Sequence, residues 1–409
     1  MTPAPSVSVI VVSRGRPAAL RRCLKAVAGL DHENFELVVV ADAAGRVVAR
    51  ETPAKVVGCE IANISAARNL GIEAAAGEIV AFIDDDAVPE PQWLSHLCAP
   101  FSDAQVAAAG GFVIGRNGIS FEWKSGTVDR LLDIGPLDQP LTRVGLHKAH
   151  PGVAVEIKGV NCAYRRDLLA SLGGFDPELR FYLDDTELNL RLAALGATVA
   201  VAPGARVHHT KAASETRGPD RAPRSLWDIG ASSAVTLRRH GAAADEIETA
   251  YKHLLAAQRR RLFQMIVAGN IEPRDLRRLM ETLAKGFADG IDRKLAGLAP
   301  LAPPQSGFRR FPAGPRPEQI LVGRFWQARR LRAQAVDLAR QGMTVRLFLF
   351  SPTALFHRIA YSPEGYWIQR GGLFGKSLRT DYYFSIWRHR TRLMREISLW
   401  RGGLWNTRL

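Results

Sequence analysis

Continuous apolar runs alternate with helical periodicity along roughly the first half of the chain. The runs are apolar at successive positions, which is typical of strands buried on both faces of a parallel sheet. They predict strands at residues 6–12, 35–40, 79–83, 106–114, 153–161 and 198–202. Apolar residues at helical spacing predict helices at residues 18–30, 64–76 and 184–195. This alternation predicts an α/β fold with a Rossmann-like, mostly parallel central sheet.

The pattern is less regular between and after these elements. Residues 115–150 predict loops, which we interpret as an insertion that faces a partner. Residues 210–224 are polar and contain Gly and Pro, so we expect a mobile segment there that could close over bound substrates. Residues 225–298 predict several helices, and the Pro-rich residues 299–304 predict a linker.

A second α/β pattern follows the linker. Residues 319–323, 325–340 and 344–350 predict a strand, an amphipathic helix and a strand, which form one βαβ unit. The turn before the helix could cradle an anion, but it lacks a glycine-rich phosphate loop. The chain is therefore predicted to have three parts, which are an α/β domain over 1–224, a helical extension over 225–298 and a small α/β module over 299–409.

Charge and aromatic content distinguish the C-terminal module from the rest. The 409 residues carry a net charge of +15, and residues 301–409 contain 19 Lys and Arg against 5 Asp and Glu. The same residues hold 17 of the 32 aromatic side chains. This combination suits an anionic membrane surface, which we expect residues 301–409 to contact, although a solvated basic face is the alternative. No recognised nucleic-acid module is present, so we expect no nucleic acid partner.

Cysteine usage and the N-terminal sequence indicate the compartment. Cys23, Cys59, Cys98 and Cys162 are far apart and have no metal-ligand spacing, so they are predicted to be small buried apolar residues in a reducing environment. The sequence shows no signal-peptide pattern and no run of about 18 apolar residues. We expect a cytoplasmic protein that can associate peripherally with the inner face of the cell membrane.

Three consecutive acids follow the third predicted strand. Asp84, Asp85 and Asp86 come directly after the apolar run that ends at Ile83, which predicts their location at the carboxyl edge of the sheet, where ligands of α/β sheets bind. Adjacent carboxylates repel one another unless water or a cation neutralises them. A divalent metal, Mg or Mn, that carries phosphates would do so. Asp86 is the predicted direct ligand, with Asp84 and Asp85 at a ribose or at metal-bound water; a solvated acidic turn is the alternative.

Other polar residues are predicted to reach the same edge. Arg68 lies on the helix before the acidic strand and could bind phosphate with its forked guanidinium; a surface arginine is the alternative. Asp42 follows the second strand, where it could contact a base, although alone it is an ordinary turn residue. His209 follows a predicted strand and could add an imidazole to the metal, although such histidines are often structural.

The helix at residues 184–195 begins with acids. One carboxylate is enough to cap a helix, whereas Asp184, Asp185 and Glu187 together suggest a general base for an acceptor hydroxyl.

Four motifs in this order resemble the GT-A fold glycosyltransferases of family 2, which use nucleotide-sugar donors. The motifs are Val7-Ser8-Val9-Ile10-Val11-Val12-Ser13, Ala67-Arg68-Asn69-Leu70-Gly71, Phe82-Ile83-Asp84-Asp85-Asp86, and Gly174-Phe175-Asp176 leading to Asp184-Asp185-Thr186-Glu187-Leu188. The resemblance identifies residues 1–224 as the catalytic domain. The resemblance implies that Asp185 is the catalytic base and that Asp86 and His209 bind the metal. The nucleotide-sugar-binding residues that it implies are Ser13, Asp42, Arg68, Asp84 and Asp85.

The resemblance implies inverting transfer of a sugar to a hydroxyl of a glycan or lipid-linked acceptor, in the synthesis of cell-surface polysaccharide. A UDP-sugar is the favoured donor, although Ala41-Asp42-Ala43-Ala44 keeps only the second of two acids that the family often has there. Two alternatives remain open: a sugar nucleotidyltransferase, and a noncatalytic polysaccharide-binding or assembly protein.

Overall fold

The structure is a computed structural model that describes residues 5–137, 143–212, 216, 218 and 222–401. In the first of these ranges the elements are β1 (Val7–Ser13), α1 (Pro17–Val27), β2 (Phe35–Ala41), α2 (Ala43–Ala49), β3 (Lys55–Gly58), α3 (Ile64–Ala74), β4 (Ile79–Asp84), β5 (Ala87–Pro89), α4 (Trp93–Cys98), β6 (Val106–Ile114), β7 (Phe121–Trp123), β8 (Thr127–Asp129) and β9 (Ile134–Gly135). The second range contains β10 (Gly145–Lys148), β11 (Val153–Val155), β12 (Asn161–Arg165), α5 (Arg166–Ser171), α6 (Asp184–Ala194) and β13 (Thr198–His209). The last range contains α7 (Trp227–Arg239), α8 (Ala244–Val267), α9 (Pro273–Asp292), β14 (Glu318–Arg324), α10 (Ala328–Arg340), β15 (Thr344–Ser351), β16 (Arg358–Tyr361), β17 (Trp367–Gly372) and α11 (His389–Arg401).

The large sheet has the strand order β10-β13-β6-β12-β4-β1-β2-β3, with β5 and β7 paired to β13 and β6. Strands β3, β2, β1 and β4 are parallel, as are β6 and β13, whereas β12 runs antiparallel between β4 and β6. Val9 and Val11 pack into the core on one face, and Ile10 packs into the core on the other. Burial on both faces explains the continuous apolar runs and confirms the predicted α/β class.

Two strand predictions were wrong. The expected strand at 153–161 is divided: β11 joins β8 and β9 in a separate three-stranded sheet, and β12 begins only at Asn161. Between them the chain turns, with the Asn161 N–H donating to the Lys158 carbonyl at 2.8 Å. The strand expected to end at Ala202 continues to His209 through a register shift between Ala202 and Arg206. This bulge accommodates Pro203 and Gly204 without ending the strand.

The segment expected to be loops, residues 115–150, contains the short strands β7 to β10 in its described part. The helical prediction for residues 225–298 is confirmed by α7, α8 and α9. Helices α7 and α9 approach closely because Gly286 of α9 lies against the Trp227 backbone, where a Cβ atom would come within 2.0 Å of the carbonyl oxygen. The boundaries proposed at 224/225 and 298/299 stay predictions.

The C-terminal βαβ unit is confirmed, and the module is larger than predicted. Its sheet has the order β14-β15-β17-β16, in which β14, β15 and β17 are parallel. The module is joined to the large sheet by direct contacts: Phe311 stacks on Phe35 at a centroid distance of 5.2 Å, and the Ile359 N–H donates to the Asn117 carbonyl at 2.9 Å. No helix in the described ranges has both the length and the apolar content needed to cross a membrane.

Candidate functional site

The three consecutive acids lie in three different environments. Asp84 ends β4 with its side chain 30% exposed, whereas those of Asp85 and Asp86 are 0% and 2% exposed in the turn that leads to β5. They are therefore not a solvated acidic turn. Each of the two buried carboxylates needs compensating partners, and the neighbouring β1–α1 loop and β13 supply them.

Asp85 is fully buried and binds two residues at the ends of the β1–α1 loop. The Ser13 hydroxyl donates to Asp85 Oδ2 at 2.6 Å, and Arg16 Nη2 lies 2.6 Å from Asp85 Oδ1. Burial raises the pKa of Asp85 to about 7, against the opposing charge of Arg16. The predicted nucleotide-sugar contacts of Ser13 and Asp85 stay predictions, since both side chains are engaged with each other. Arg16 was missed from the sequence, although its place in the first loop at this edge was a usable signal.

Asp84, Asp86 and His209 form a group of metal-ligand atoms that all lie within 4.8 Å of one another. We call these three residues the metal group. His209 reaches it because β13 pairs with β5, which places His209 opposite Ala87 and its Nε2 3.2 Å from Asp86 Oδ1. Two carboxylate oxygens and an imidazole nitrogen are a donor set that suits Mn or Mg with further ligands from phosphate or water. The residues present therefore fit a divalent ion.

The charges of Asp86 and His209 stabilise each other. Burial works against the ionised form of Asp86, but the hydrogen bond and charge of His209, and the charge of Arg16, hold the pKa of Asp86 below its usual range. Burial lowers the pKa of His209, but its bonds to Asp86 and Glu122 outweigh this and raise the pKa to about 9. Asp86 also accepts a hydrogen bond from the Ala212 N–H at 2.7 Å.

Glu122 orients the histidine of the metal group and was missed from the sequence. Its Oε1 lies 3.2 Å from His209 Nδ1 and 2.8 Å from Lys211 Nζ. Outer partners of this kind fix the ring orientation of a ligating histidine. Glu122 is a single acid in a segment without regular periodicity, so no local pattern indicated it.

Arg68 projects from α3 to the acidic edge, as predicted. Its guanidinium lies 3.3 Å from Asp84 Oδ1 and forms an ion pair with Asp184. The rings of Phe82 and Phe175 enclose it at 5.8 and 5.1 Å. Burial lowers the pKa of Arg68, but the charges of Asp184 and Asp84 outweigh this and raise it. Burial raises the pKa of Asp184 to about 6, against the charge of Arg68.

Asp185 and Asp184 begin α6 but face different surroundings. Asp184 is buried against Arg68, whereas Asp185 is half-buried and accepts hydrogen bonds from the N–H groups of Gly159 at 2.7 Å and Thr186 at 2.8 Å. The preceding Tyr182 and Leu183 have φ of 78° and 63°, a left-handed conformation that costs energy in residues other than glycine. The chain therefore enters α6 through a strained turn immediately before Asp184 and Asp185.

One cavity connects these groups. It has a volume of about 630 Å³, and Arg68, Asp84, Asp185 and His209 all line it. Asp86 does not itself line the cavity, but it contacts the lining residue His209. The opposite wall comes largely from apolar residues of the helical extension, including Leu254 on α8 and Phe287 on α9.

Asp42 lies outside this cavity, at the end of β2. Its Oδ1 accepts the Gly45 N–H at 2.8 Å as the cap of α2, and its Oδ2 accepts the Gly15 N–H at 2.7 Å. It therefore links the β1–α1 and β2–α2 loops at the sheet edge. Its predicted contact with a base stays a prediction.

Comparison with known proteins identifies relatives that match about half of this chain. An O-antigen biosynthesis protein, RfbC, from Myxococcus xanthus is 27% identical over 238 residues, which are 51% of this chain and 18% of that protein. A pre-mycofactocin glycosyltransferase from Mycobacterium tuberculosis is 27% identical over 217 residues, or 50% of this chain and 42% of that protein. The chain thus spans less than half the length of each. A mannosyltransferase from Pyrobaculum calidifontis, solved with GDP-Man and Mn2+, is 20% identical with a TM-score of 0.43, over 72% of this chain and 89% of that one.

The family comparison covers the α/β domain that carries the cavity. The family model described as glycosyltransferase like family 2 matches residues 3–223. This range contains all four motifs on which the resemblance was based, and the match confirms that resemblance. Because it extends over more than half of the 409 residues, the chain belongs to glycosyltransferase family 2.

Proposed function

We propose that this chain catalyses a metal-dependent, inverting transfer of a sugar from a nucleoside-diphosphate donor to a hydroxyl of a glycan or lipid-linked acceptor. The observation that carries the proposal is a single cavity lined by Asp84 and His209 of the metal group, by Arg68 and by Asp185. A donor diphosphate and an acceptor hydroxyl can be held together only where such groups share one space. Membership of family 2 supports the same reaction class.

Asp84, Asp86 and His209 would hold the divalent ion, which when bound neutralises charge on the donor diphosphate. Arg68 lies beside Asp84 and adds a fixed positive charge close to the same position. Its forked guanidinium suits a phosphate oxygen pair. Asp184 keeps Arg68 charged and oriented when no donor is bound.

Asp185 acts as the general base. It takes the proton of the acceptor hydroxyl while that oxygen attacks the anomeric carbon and the bond from this carbon to the diphosphate oxygen breaks. The nucleoside diphosphate leaves with the bonding electrons, and the configuration at the anomeric carbon inverts without a covalent intermediate. The N–H groups of Gly159 and Thr186 fix the carboxylate, so its orientation does not have to be established during the reaction.

The donor is proposed to be a UDP-sugar. Its base would lie near Asp42, and its ribose near Asp84 and Asp85, at the edge formed by the ends of β1, β2 and β4. The segment 210–224 would close over the donor; residues 213–215, 217 and 219–221 of it lie outside the described residues. Described residues 210–212 contact Asp86 and Glu122, so this segment begins at the metal group.

The acceptor is proposed to belong to cell-surface polysaccharide synthesis. One relative is named as an O-antigen biosynthesis protein, and another is a glucosyl-dolichyl phosphate glucuronosyltransferase from Haloferax volcanii, 28% identical over 42% of this chain and 55% of that protein. The glucosyl-dolichyl phosphate in the name of the second relative is a phosphorylated lipid. We therefore also propose that residues 301–409 bring the protein to an anionic membrane surface on its cytoplasmic side, in keeping with their basic charge and with the exposed Tyr382, Tyr383 and Ile386.

The test begins with a thermal-shift panel of UDP, GDP, dTDP and CMP sugars with and without Mn2+. With the donor thus identified, Asp185→Asn should lower transfer by about 10²- to 10⁴-fold and leave nucleotide affinity unchanged, since only proton transfer is lost. Asp292→Asn, at the exposed end of α9, is the matched control and should retain full activity. Full transfer by Asp185→Asn would refute the assigned base. Release of pyrophosphate instead of nucleoside diphosphate would favour a nucleotidyltransferase.

A further inference from the structure

The C-terminal module contains a cavity of its own, at the edge where its parallel strands end. The cavity has a volume of about 750 Å³, and none of the residues that line it lines the cavity of the metal group. Phe325 directly follows β14, Ser351 ends β15, and Gly371 lies at the end of β17. The carboxyl edge of parallel strands is where α/β sheets bind their ligands.

Three arginines line this second cavity without acidic partners in it. They are Arg332 on α10, Arg358 on β16 and Arg370 on β17, and no acid is among the lining residues. Within the described ranges, none of the three makes an ion pair. Glu364, an acid whose charge reaches Arg332, lies outside the cavity and bonds to Ser362.

The strand register places two of these charges face to face. Arg358 and Arg370 are directly opposite each other in the antiparallel pair of β16 and β17. Side chains in this relation share one face of the sheet with Cβ atoms about 5 Å apart, and like charges there destabilise the pair. An anion held between the two guanidinium groups would convert this repulsion into two charge-assisted hydrogen-bond contacts.

Apolar groups complete the walls. Phe325 and Phe356 line the same cavity, and their side chains are 54% and 53% exposed. Lys376 Nζ lies 5.1 Å from the centre of the Phe356 ring, so a fourth positive charge lies beside a residue of the cavity wall. The cavity thus combines clustered positive charges with exposed aromatic side chains.

We propose that this second cavity binds a phosphate-bearing ligand, a phosphate or diphosphate ester. Its phosphate oxygens would bridge Arg358 and Arg370, Arg332 would neutralise the remaining charge, and the esterified group would lie against Phe325 and Phe356. The proposal does not depend on the transfer activity. The phosphate can belong to a soluble ester or to a lipid headgroup, and the chemistry of recognition is the same in both.

The test uses the whole 409-residue chain in EDTA at constant ionic strength, with pyrophosphate titrated by calorimetry. Arg358→Gln and Arg370→Gln should each weaken binding roughly tenfold or more, since each removes a hydrogen bond to a charged group. Arg330→Gln is the matched control, because Arg330 is an exposed arginine on the same helix α10 that does not line the cavity. Pyrophosphate bound at the metal group would be equal in all four proteins, so the difference isolates the second cavity.

A second arm separates the two sources. Sedimentation with phosphatidylcholine vesicles that contain phosphatidic acid should depend on Arg358 and Arg370 if the phosphate comes from a lipid, whereas only the calorimetric titration should depend on them if the ligand is soluble. In the absence of ligand, Arg370→Gln should also raise the thermal midpoint, because it removes the repulsion across β16 and β17. The proposal is overturned if Arg358→Gln and Arg370→Gln bind both pyrophosphate and vesicles as well as Arg330→Gln does. It is also overturned if Arg330→Gln weakens binding as much as the two cavity variants.

Discussion

Replacing Gly159 by alanine should disturb Arg68 and Asp185 together, because Gly159 lies between them. Its N–H donates to Asp185 Oδ2 at 2.7 Å. A Cβ atom added there would come within 2.6 Å of both terminal nitrogens of Arg68 and within 2.9 Å of its Cζ. Gly159 does not have a positive φ, so alanine is acceptable to the backbone and the effect comes from this contact alone.

The size of the effect follows from how tightly Arg68 is held. Its guanidinium would have to move by roughly 1 Å to restore ordinary contact distances. The ion pairs with Asp84 and Asp184 oppose this movement, as do the rings of Phe82 and Phe175. A misplacement of about 1 Å near the reacting groups costs about 100-fold in rate, or about 3 kcal/mol of transition-state stabilisation.

The assay is kcat/KM for transfer from the donor that the nucleotide panel identifies. Gly297→Ala is the control, because no atom lies within 4 Å of the position of its added Cβ, and it should match the wild type. A double-mutant cycle with Arg68→Ala separates the routes: if Gly159→Ala acts through Arg68, the double variant loses no more than Arg68→Ala alone. Activity of Gly159→Ala within about twofold of wild type would refute the reasoning.

Three further predictions concern the metal group, the buried Glu36 on β2 and the strained turn before α6. Asp86→Asn should weaken Mn2+ binding about 10- to 100-fold in a calorimetric titration, and unchanged affinity would remove Asp86 from the metal group. Glu36→Gln should cost about 3–5 kcal/mol of unfolding free energy, since the buried carboxylate pairs with Lys55 at 2.8 Å and accepts the Ser8 hydroxyl at 2.6 Å. Burial opposes the ionisation of Glu36, but these bonds outweigh it and lower the pKa of its carboxyl group. The stabilisation of the fold by ionised Glu36 is therefore present above the unfolded pKa of about 4.3 and is lost as the pH falls through the lower folded pKa. Denaturant unfolding from pH 7 to 3 should show that the difference in unfolding free energy between wild type and Glu36→Gln becomes smaller. Leu183→Gly should raise the thermal midpoint, because glycine removes a left-handed strain of about 1 kcal/mol, and a lowered midpoint would contradict this.

The centre of the fold was predictable because burial on both faces leaves a strong local pattern. Strands β1, β2 and β4 lie within one residue of their predicted bounds, and the acids after Ile83 follow from that register. The break between β11 and β12 was not predictable, because the turn at Lys158 and Gly159 is fixed by tertiary contacts. Glu156 bonds to the Thr186 hydroxyl at 2.7 Å, and Gly159 bonds to Asp185. Both partners come from α6, distant in sequence.

The candidate site likewise has features that the sequence predicted and features that it did not. The acids and Arg68 follow or precede a strand, so their sheet edge was predictable from sequence order. The sequence order did not predict which of the three acids is buried. Asp84, Asp85 and Asp86 differ in burial because other segments bring different partners to them. Glu122 shows the same limit: its relevance depends on the register of β7 beside β6, which no local pattern specifies.

The last residues of β13 link the C-terminal module to the metal group. Successive side chains of a strand point to opposite faces, so His209 reaches Asp86 while His208 points to the other side. There His208 Nε2 lies 3.1 Å from the buried Glu90, and its ring lies 4.7 Å from the ring of Trp367 and 6.3 Å from that of Trp400, both in the module. The module therefore buries the rear of the strand that presents His209. Through these contacts the module forms part of the packing behind His209, and so behind the metal group.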